Sequence, residues 1–142
     1  MEKKKSEEKL KKEIEDKSLK LLLLDQELRK IEEQYKMIDQ SILEITNIKI
    51  NLDEMKYNKE KEILANVGEG IFVKAEIKDK DKVFVNLGQG IVIETTIDEA
   101  KEILEKRIDE LYFSKSLLAN EAEKILNEIK ILEKEINKIY KL

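Results

Sequence analysis

At 142 residues the chain has room for one ordinary domain, yet 42% of it is Lys, Arg, Asp and Glu, where a typical soluble domain carries about 25%. A round domain has too little surface for so many charges, so the composition points to an elongated shape, while 41% apolar residues and a net charge of −4 argue against disorder. The absence of Pro, Cys, His and Trp excludes disulfides, thiolate chemistry and cysteine-based zinc sites.

No apolar stretch approaches the roughly 20 residues needed to span a bilayer, and the start lacks the apolar region of a signal peptide, so a cytoplasmic location is expected. The basic cluster Lys3, Lys4, Lys5, Lys9, Lys11 and Lys12 is interleaved with Glu2, Glu7, Glu8 and Glu13. That mixture reads as a solvated helix start rather than a nucleic-acid patch. Abundant Lys, Glu and Ile with few Gln suit a heat-adapted organism.

A first helix is expected over residues 8–64. Leu10, Ile14, Leu21, Leu24, Leu28, Ile31, Tyr35, Ile38, Ile42 and Ile45 recur mostly at steps of three and four, the spacing that keeps one stripe facing a partner helix. The stripe continues through Ile48, Leu52 and Met55 with two consecutive steps of three, which should locally overwind a supercoil. Such a helix is on the order of 85 Å long. The run Leu21, Leu22, Leu23 and Leu24 covers roughly 300° of its surface, more than a two-stranded seam can hide. Either the packing is denser at that level or an apolar patch is left for binding.

The periodicity then changes to two over residues 65–95. Ile71, Val73, Ala75 and Ile77 alternate with Phe72, Lys74 and Glu76; Val83, Val85 and Leu87 alternate with Phe84 and Asn86; Ile91 and Ile93 alternate with Val92. Alternation with β-branched residues predicts strands. The triads Gly68-Glu69-Gly70 and Gly88-Gln89-Gly90 hold every glycine of the chain and fit tight hairpin turns. With a short strand at about 64–67 they make two hairpins. A phosphate-binding role for the triads is disfavoured, because neither opens a helix or carries a following Lys-Ser or Lys-Thr. Four short strands cannot form an adequate core alone. Their apolar faces would be covered by another subunit or, alternatively, by the bases of the helices.

A second helix is expected over 97–141. Thr96 and Glu99 form a capping box at its start, and Ile97, Leu104, Leu111, Leu118, Ile125, Leu132 and Ile139 recur every seventh residue. Lys115 is the one polar companion in this stripe and can fix register. If Leu64 lies near Ile97, the helices pair antiparallel with facing residue numbers summing to about 161. The four-leucine run would then sit at the far tip beside Ile136, Ile139, Tyr140 and Leu142, with residues up to about Ser18 overhanging and Leu10 and Ile14 unpaired. Acidic pairs such as Glu32 and Glu33 or Glu121 and Glu123 lie on solvated helix faces with no pocket to tune them. Neither an enzyme nor a cofactor or metal site is expected.

Taken together the sequence resembles a prefoldin, the α-class archaeal-type subunit with two hairpins between its helices. The resemblance is carried by Gly70-Ile-Phe-Val-Lys-Ala-Glu-Ile77, Asp81-Lys-Val-Phe-Val-Asn-Leu-Gly-Gln-Gly90, Ile97-Asp-Glu-Ala100 and Lys106-Arg-Ile-Asp-Glu-Leu111. It implies an α+β fold, a long antiparallel two-helix coiled coil whose hairpins form an oligomeric β-barrel platform. It also implies an ATP-independent holdase that captures non-native proteins at its tips and delivers them to a group II chaperonin. Ile71, Phe72, Val73, Ile77, Val83, Phe84, Val85, Leu87, Ile91, Val92 and Ile93 would then serve oligomerisation. Leu10, Ile14, Leu19, Leu21 to Leu24, Ile136, Ile139, Tyr140 and Leu142 would hold clients. Two departures, the absence of proline in Leu64-Ala-Asn-Val67 and a longer charged start, leave two partners open: a β-class prefoldin subunit, or copies of the chain itself in a homo-oligomer or filament with a scaffold role.

Overall fold

The computed structural model describes residues 2–58 and 60–141. The order of elements is α1 (Glu2–Tyr57), β1 (Glu62–Gly68), β2 (Ile71–Glu76), β3 (Lys82–Gly88), β4 (Ile91–Thr96) and α2 (Ile97–Tyr140). Two compact units result: one made of Met1–Gln40 with Tyr112–Leu142, the other of Ser41–Leu111.

The first unit is a pair of antiparallel helices. Leu24, Ile31 and Leu132 are buried, and Leu10, Ile14, Leu21, Leu28, Tyr35, Ile38, Leu118, Ile125, Ile129, Ile136 and Ile139 are half-buried. The heptad stripes of the two helices therefore face each other, and each fully buried leucine or isoleucine contributes about 1.5–3 kcal/mol. Lys17 Nζ lies 3.0 Å from Glu135 and Lys115 Nζ 2.6 Å from Asp39. The residue numbers of these pairs sum to 152 and 154, nine and seven less than the expected 161. Leu10 and Ile14 are consequently not unpaired: they line a groove with Ile139 and Tyr140.

In the second unit α1 stops at Tyr57 rather than Leu64. Asn58 accepts a hydrogen bond from the Glu60 amide at 3.1 Å, a local side-chain bond that competes with helix continuation. The short strand expected at about 64–67 begins earlier, at Glu62, and takes in residues 62–64 of the expected first helix. Three ion pairs join the helices here: Lys49 to Glu105 at 3.0 Å, Lys101 to Asp53 at 2.7 Å and Lys56 to Asp98 at 3.1 Å. All three sum to 154. The inward position expected at Ile48 is shifted by one residue. Ile48 is exposed, and Lys49 occupies the inward position with its side chain only 24% accessible. The half-buried positions of the stripe thus run 42, 45, 49, 52 and 55, with the two consecutive steps of three falling after Lys49.

The hairpins are copies of one design. β1 pairs with β2 and β3 with β4, each antiparallel and each with an irregularity, between Asn66 and Gly68 and between Asn86 and Gly88. Both central turn residues have positive φ, 49° and 77° at Glu69 and Gly70 and 52° and 76° at Gln89 and Gly90. This is the backbone of a type I′ turn, whose twist matches that of the flanking strands. Asn66 Oδ1 accepts from the Gly68 amide at 2.9 Å, and Asn86 Oδ1 from the Gly88 amide at 2.8 Å. These side chains hold the entry to each turn.

The expected barrel does not close. Among the described residues the strands form two separate two-stranded sheets, with no ladder between β2 and β3. A barrel needs every strand paired on both edges, whereas each hairpin here keeps two open edges.

The second hairpin folds back along α2. Arg107 Nη2 donates to the Asn86 carbonyl at 2.9 Å, and Val83, Val85 and Ile93 are half-buried while Thr95, Ile97, Ala100 and Leu104 are buried. In the strands of the first hairpin only Ala65 and Ala75 are half-buried; its base is closed by the Ile77 amide donating to the Lys61 carbonyl at 2.7 Å. The capping box forms as expected: Thr96 Oγ1 accepts from the Glu99 amide at 3.1 Å, the Glu99 carboxylate accepts from the Thr96 amide at 3.5 Å, and Thr95 Oγ1 donates to the same carboxylate. Replacing Thr96 by Ala is expected to cost about 1 kcal/mol, measured as a lower midpoint in urea unfolding followed by circular dichroism at 222 nm.

Candidate interaction surfaces

The chemistry available to the chain is set by where apolar groups meet solvent. Among the described residues no group of His, Cys, Asp and Glu is arranged to hold a metal, and no helix is long and apolar enough to cross a membrane.

The first surface belongs to the two-helix unit. The four-leucine run is divided by its helical geometry. Leu24 is buried and Leu21 half-buried in the seam, whereas Leu22 and Leu23 are each 54% exposed. Leu19 is exposed as well. In a register near 154 the run lies opposite residues 130–133, about one heptad from Ile139 and Tyr140. Ile131, 57% exposed, stands at its level instead and escaped the sequence reading. It lies off the heptad stripe, and only the register shows which residue it joins. Ile136 and Ile139 are half-buried and Tyr140 is exposed; Leu142 lies outside the described residues. The run is therefore both packed and exposed, two leucines to each.

The second surface belongs to the hairpins. Ile71, Phe72, Val73, Phe84, Leu87, Ile91 and Val92 are exposed, and Ile77, Val83, Val85 and Ile93 are half-buried. Leu64 and Val67 on β1 are exposed too. The even-numbered face of the second hairpin carries Phe84, Asn86, Val92 and Glu94 and faces solvent, while the odd-numbered face is partly covered. Arg107 of α2 reaches the Asn86 carbonyl of this hairpin, in keeping with the alternative that the helix bases cover one strand face. Exposed apolar groups of this density on paired strands with free edges mark a place for association.

The electrostatics are those of paired, not catalytic, groups. Lys115 reaches Asp39 and also lies over the rings of Tyr35 and Tyr112, 4.6 and 5.5 Å from their centroids. Hydrogen bonding to Asp39 holds its ammonium above the ordinary value of 10.5 against some desolvation. Lys17, Lys56 and Lys101 are raised in the same way, chiefly by Glu135, Asp98 and Asp53. A raised folded-state value means that the unfolded chain releases its proton first as pH rises. The stabilisation is complete below about 10.5 and is lost as pH climbs through the raised values. The melting temperature is expected to be insensitive to these groups between pH 7 and 9 and to decline modestly above about pH 10.5. In Lys115→Gln that alkaline fall should be shallower.

Comparison with known proteins bears on these surfaces. The model of the prefoldin subunit family matches residues 24–142. A prefoldin subunit alpha of Methanococcus vannielii is 25% identical over 126 residues, covering 89% of this chain and 85% of the relative. Those of Methanosarcina barkeri and Thermofilum pendens are 31% and 33% identical, covering 77% and 70% of this chain and 78% and 72% of theirs. Among solved structures, a chain of the filamentous PFD from Methanocaldococcus jannaschii has the same fold, with a TM-score of 0.74 at 22% identity over 81% of this chain and 96% of that one. With family match, relatives and fold in agreement, the chain belongs to the prefoldin family as an α-class subunit, a non-catalytic component with a chaperone or scaffold role.

Proposed function

We propose that the chain is a holdase subunit that captures non-native proteins on the exposed apolar groups of its two-helix unit and passes them to a group II chaperonin without nucleotide. The observation that carries this reading is the group Leu22, Leu23 and Ile131. Each is more than half exposed at one level of the helix pair, and Met37, Phe113 and Leu117 add exposed apolar groups elsewhere on the same unit. Leu19 adds to the group, and Tyr140 offers a further contact. An unfolded client gains roughly 25 cal/mol for each Å² of apolar surface covered. One such contact is weak, but several subunits joined in one assembly raise the effective concentration of the next. The hairpin residues Ile71, Phe72, Val73, Phe84, Ile91 and Val92 are the groups through which subunits join.

A second reading gives the chain a scaffold role in assemblies of itself. The open edges of both hairpins and the shared fold with a PFD described as filamentous favour it, since unpaired edges serve a copy of the chain as well as a β-class subunit.

Two measurements separate the readings. Light scattering after size-exclusion chromatography should give a discrete complex only when a β-class prefoldin is added; large assemblies from the chain alone would favour the scaffold. The variant Leu22→Ser/Leu23→Ser/Ile131→Ser should then assemble with unchanged size and helix content yet suppress aggregation of a chemically unfolded client several-fold less well. Undiminished suppression by this variant would remove these residues from the client surface.

A further inference from the structure

The apolar seam of α2 repeats every seventh residue from Ile97 to Ile139, so sliding α1 by one heptad restores an apolar face opposite an apolar face. Hydrophobic contact alone barely distinguishes the observed register from one whose pairs sum to 161. Charged groups at the seam do distinguish them. We infer that five lysine–carboxylate pairs across the seam, Lys17–Glu135, Asp39–Lys115, Lys49–Glu105, Asp53–Lys101 and Lys56–Asp98, select the register of the two helices against a one-heptad slip.

The geometry is consistent along both units. Every pair joins α1 to α2 at 2.6–3.1 Å, and each lysine side chain is one-third accessible or less. The ammonium is contributed by α1 in three pairs and by α2 in two. In the register of 161, Lys49 would face Tyr112, Lys115 would face Thr46 and Asp39 would face Ala122. Only Lys56 and Lys101 would find carboxylates, at Glu105 and Glu60. An ammonium partly shielded at the seam is disfavoured when it faces an apolar or neutral group in place of its acceptor, whereas an exposed ion pair contributes little to stability on its own. The pairs therefore act more on which register forms than on how stable it is, as a polar residue does at a coiled-coil seam. A slip in the opposite direction is closed by connectivity. It would place Lys56 opposite Ile91 and Asp53 opposite Glu94, both in β4 before α2 begins.

The chain has no cysteine, so disulfide trapping can read the register directly. Leu28→Cys/Ile125→Cys reports the observed register and Leu28→Cys/Leu132→Cys the slipped one, each scored as the intramolecular cross-link of the full chain under mild oxidation. With the native lysines only the first pair should close. Adding Lys49→Leu and Lys115→Leu should raise slipped cross-linking at least ten-fold, and the neutral Lys49→Gln/Lys115→Gln should repeat the effect without adding apolar surface. The exchanged pair Asp39→Lys/Lys115→Asp should keep the observed register. Trapping confined to the observed register in both lysine-free variants would overturn the inference and leave the hairpin connection as the sole determinant.

Discussion

The packing of α1 against α2 depends on where each helix is tied to the hairpins. Tyr57 ends one helix and Ile97 begins the other, and these two ends bound the seam within which the lysine–carboxylate pairs lie. Asn58 turns the chain out of α1 by binding the Glu60 amide, and the reciprocal bonds of Thr96 and Glu99 define the start of α2. A change of seven residues at either end would leave leucine facing leucine but would reassign every charged pair. The placement of a few polar side chains thus governs a contact whose energy is mainly apolar.

The hairpins have the opposite character. Their backbone is well determined, through positive-φ turns and the two asparagines that hold the turn entries. Their side chains are left largely uncovered, because two strands are too few to bury them. Helix α2 covers part of the second hairpin, with Arg107 tied to the Asn86 carbonyl; the strands of the first receive little cover. The surface available for association is therefore unequal between two hairpins of matching local sequence. A subunit of this family works as part of an assembly, and the exposed strand faces of the single chain are consistent with that requirement.

The apolar groups of the two-helix unit follow from the same economy of packing. A seam of two helices hides about one side of each, so four consecutive leucines must split between inside and outside. Leu21 and Leu24 take the seam and Leu22 and Leu23 the solvent. Ile131 joins them only because the register brings that part of α2 to their level. Register therefore decides the composition of the apolar surface, and the lysine–carboxylate pairs and the proposed client site are coupled through it.

Much of this was determined by the amino-acid sequence alone. Periods of 3.5 and two, glycine triads and a capping box mark helices, strands, turns and the start of α2, because these are local preferences of the backbone and its nearest side chains. The repeated Asn-x-Gly-x-Gly-Ile at Asn66 and Asn86 was legible in principle as well, although its turn-holding role is visible only in the hydrogen bonds. Three matters belonged to the tertiary structure. The end of α1 rests on a choice between helix and strand for residues 62–68, which partner strand β2 decides through its ladder. The seam position of Lys49 rather than Ile48 depends on Glu105 lying across from it. The absence of a barrel within the chain depends on β2 and β3 remaining unpaired. Each is a long-range pairing, and a pattern that repeats every seven residues carries no local mark of which repeat faces which.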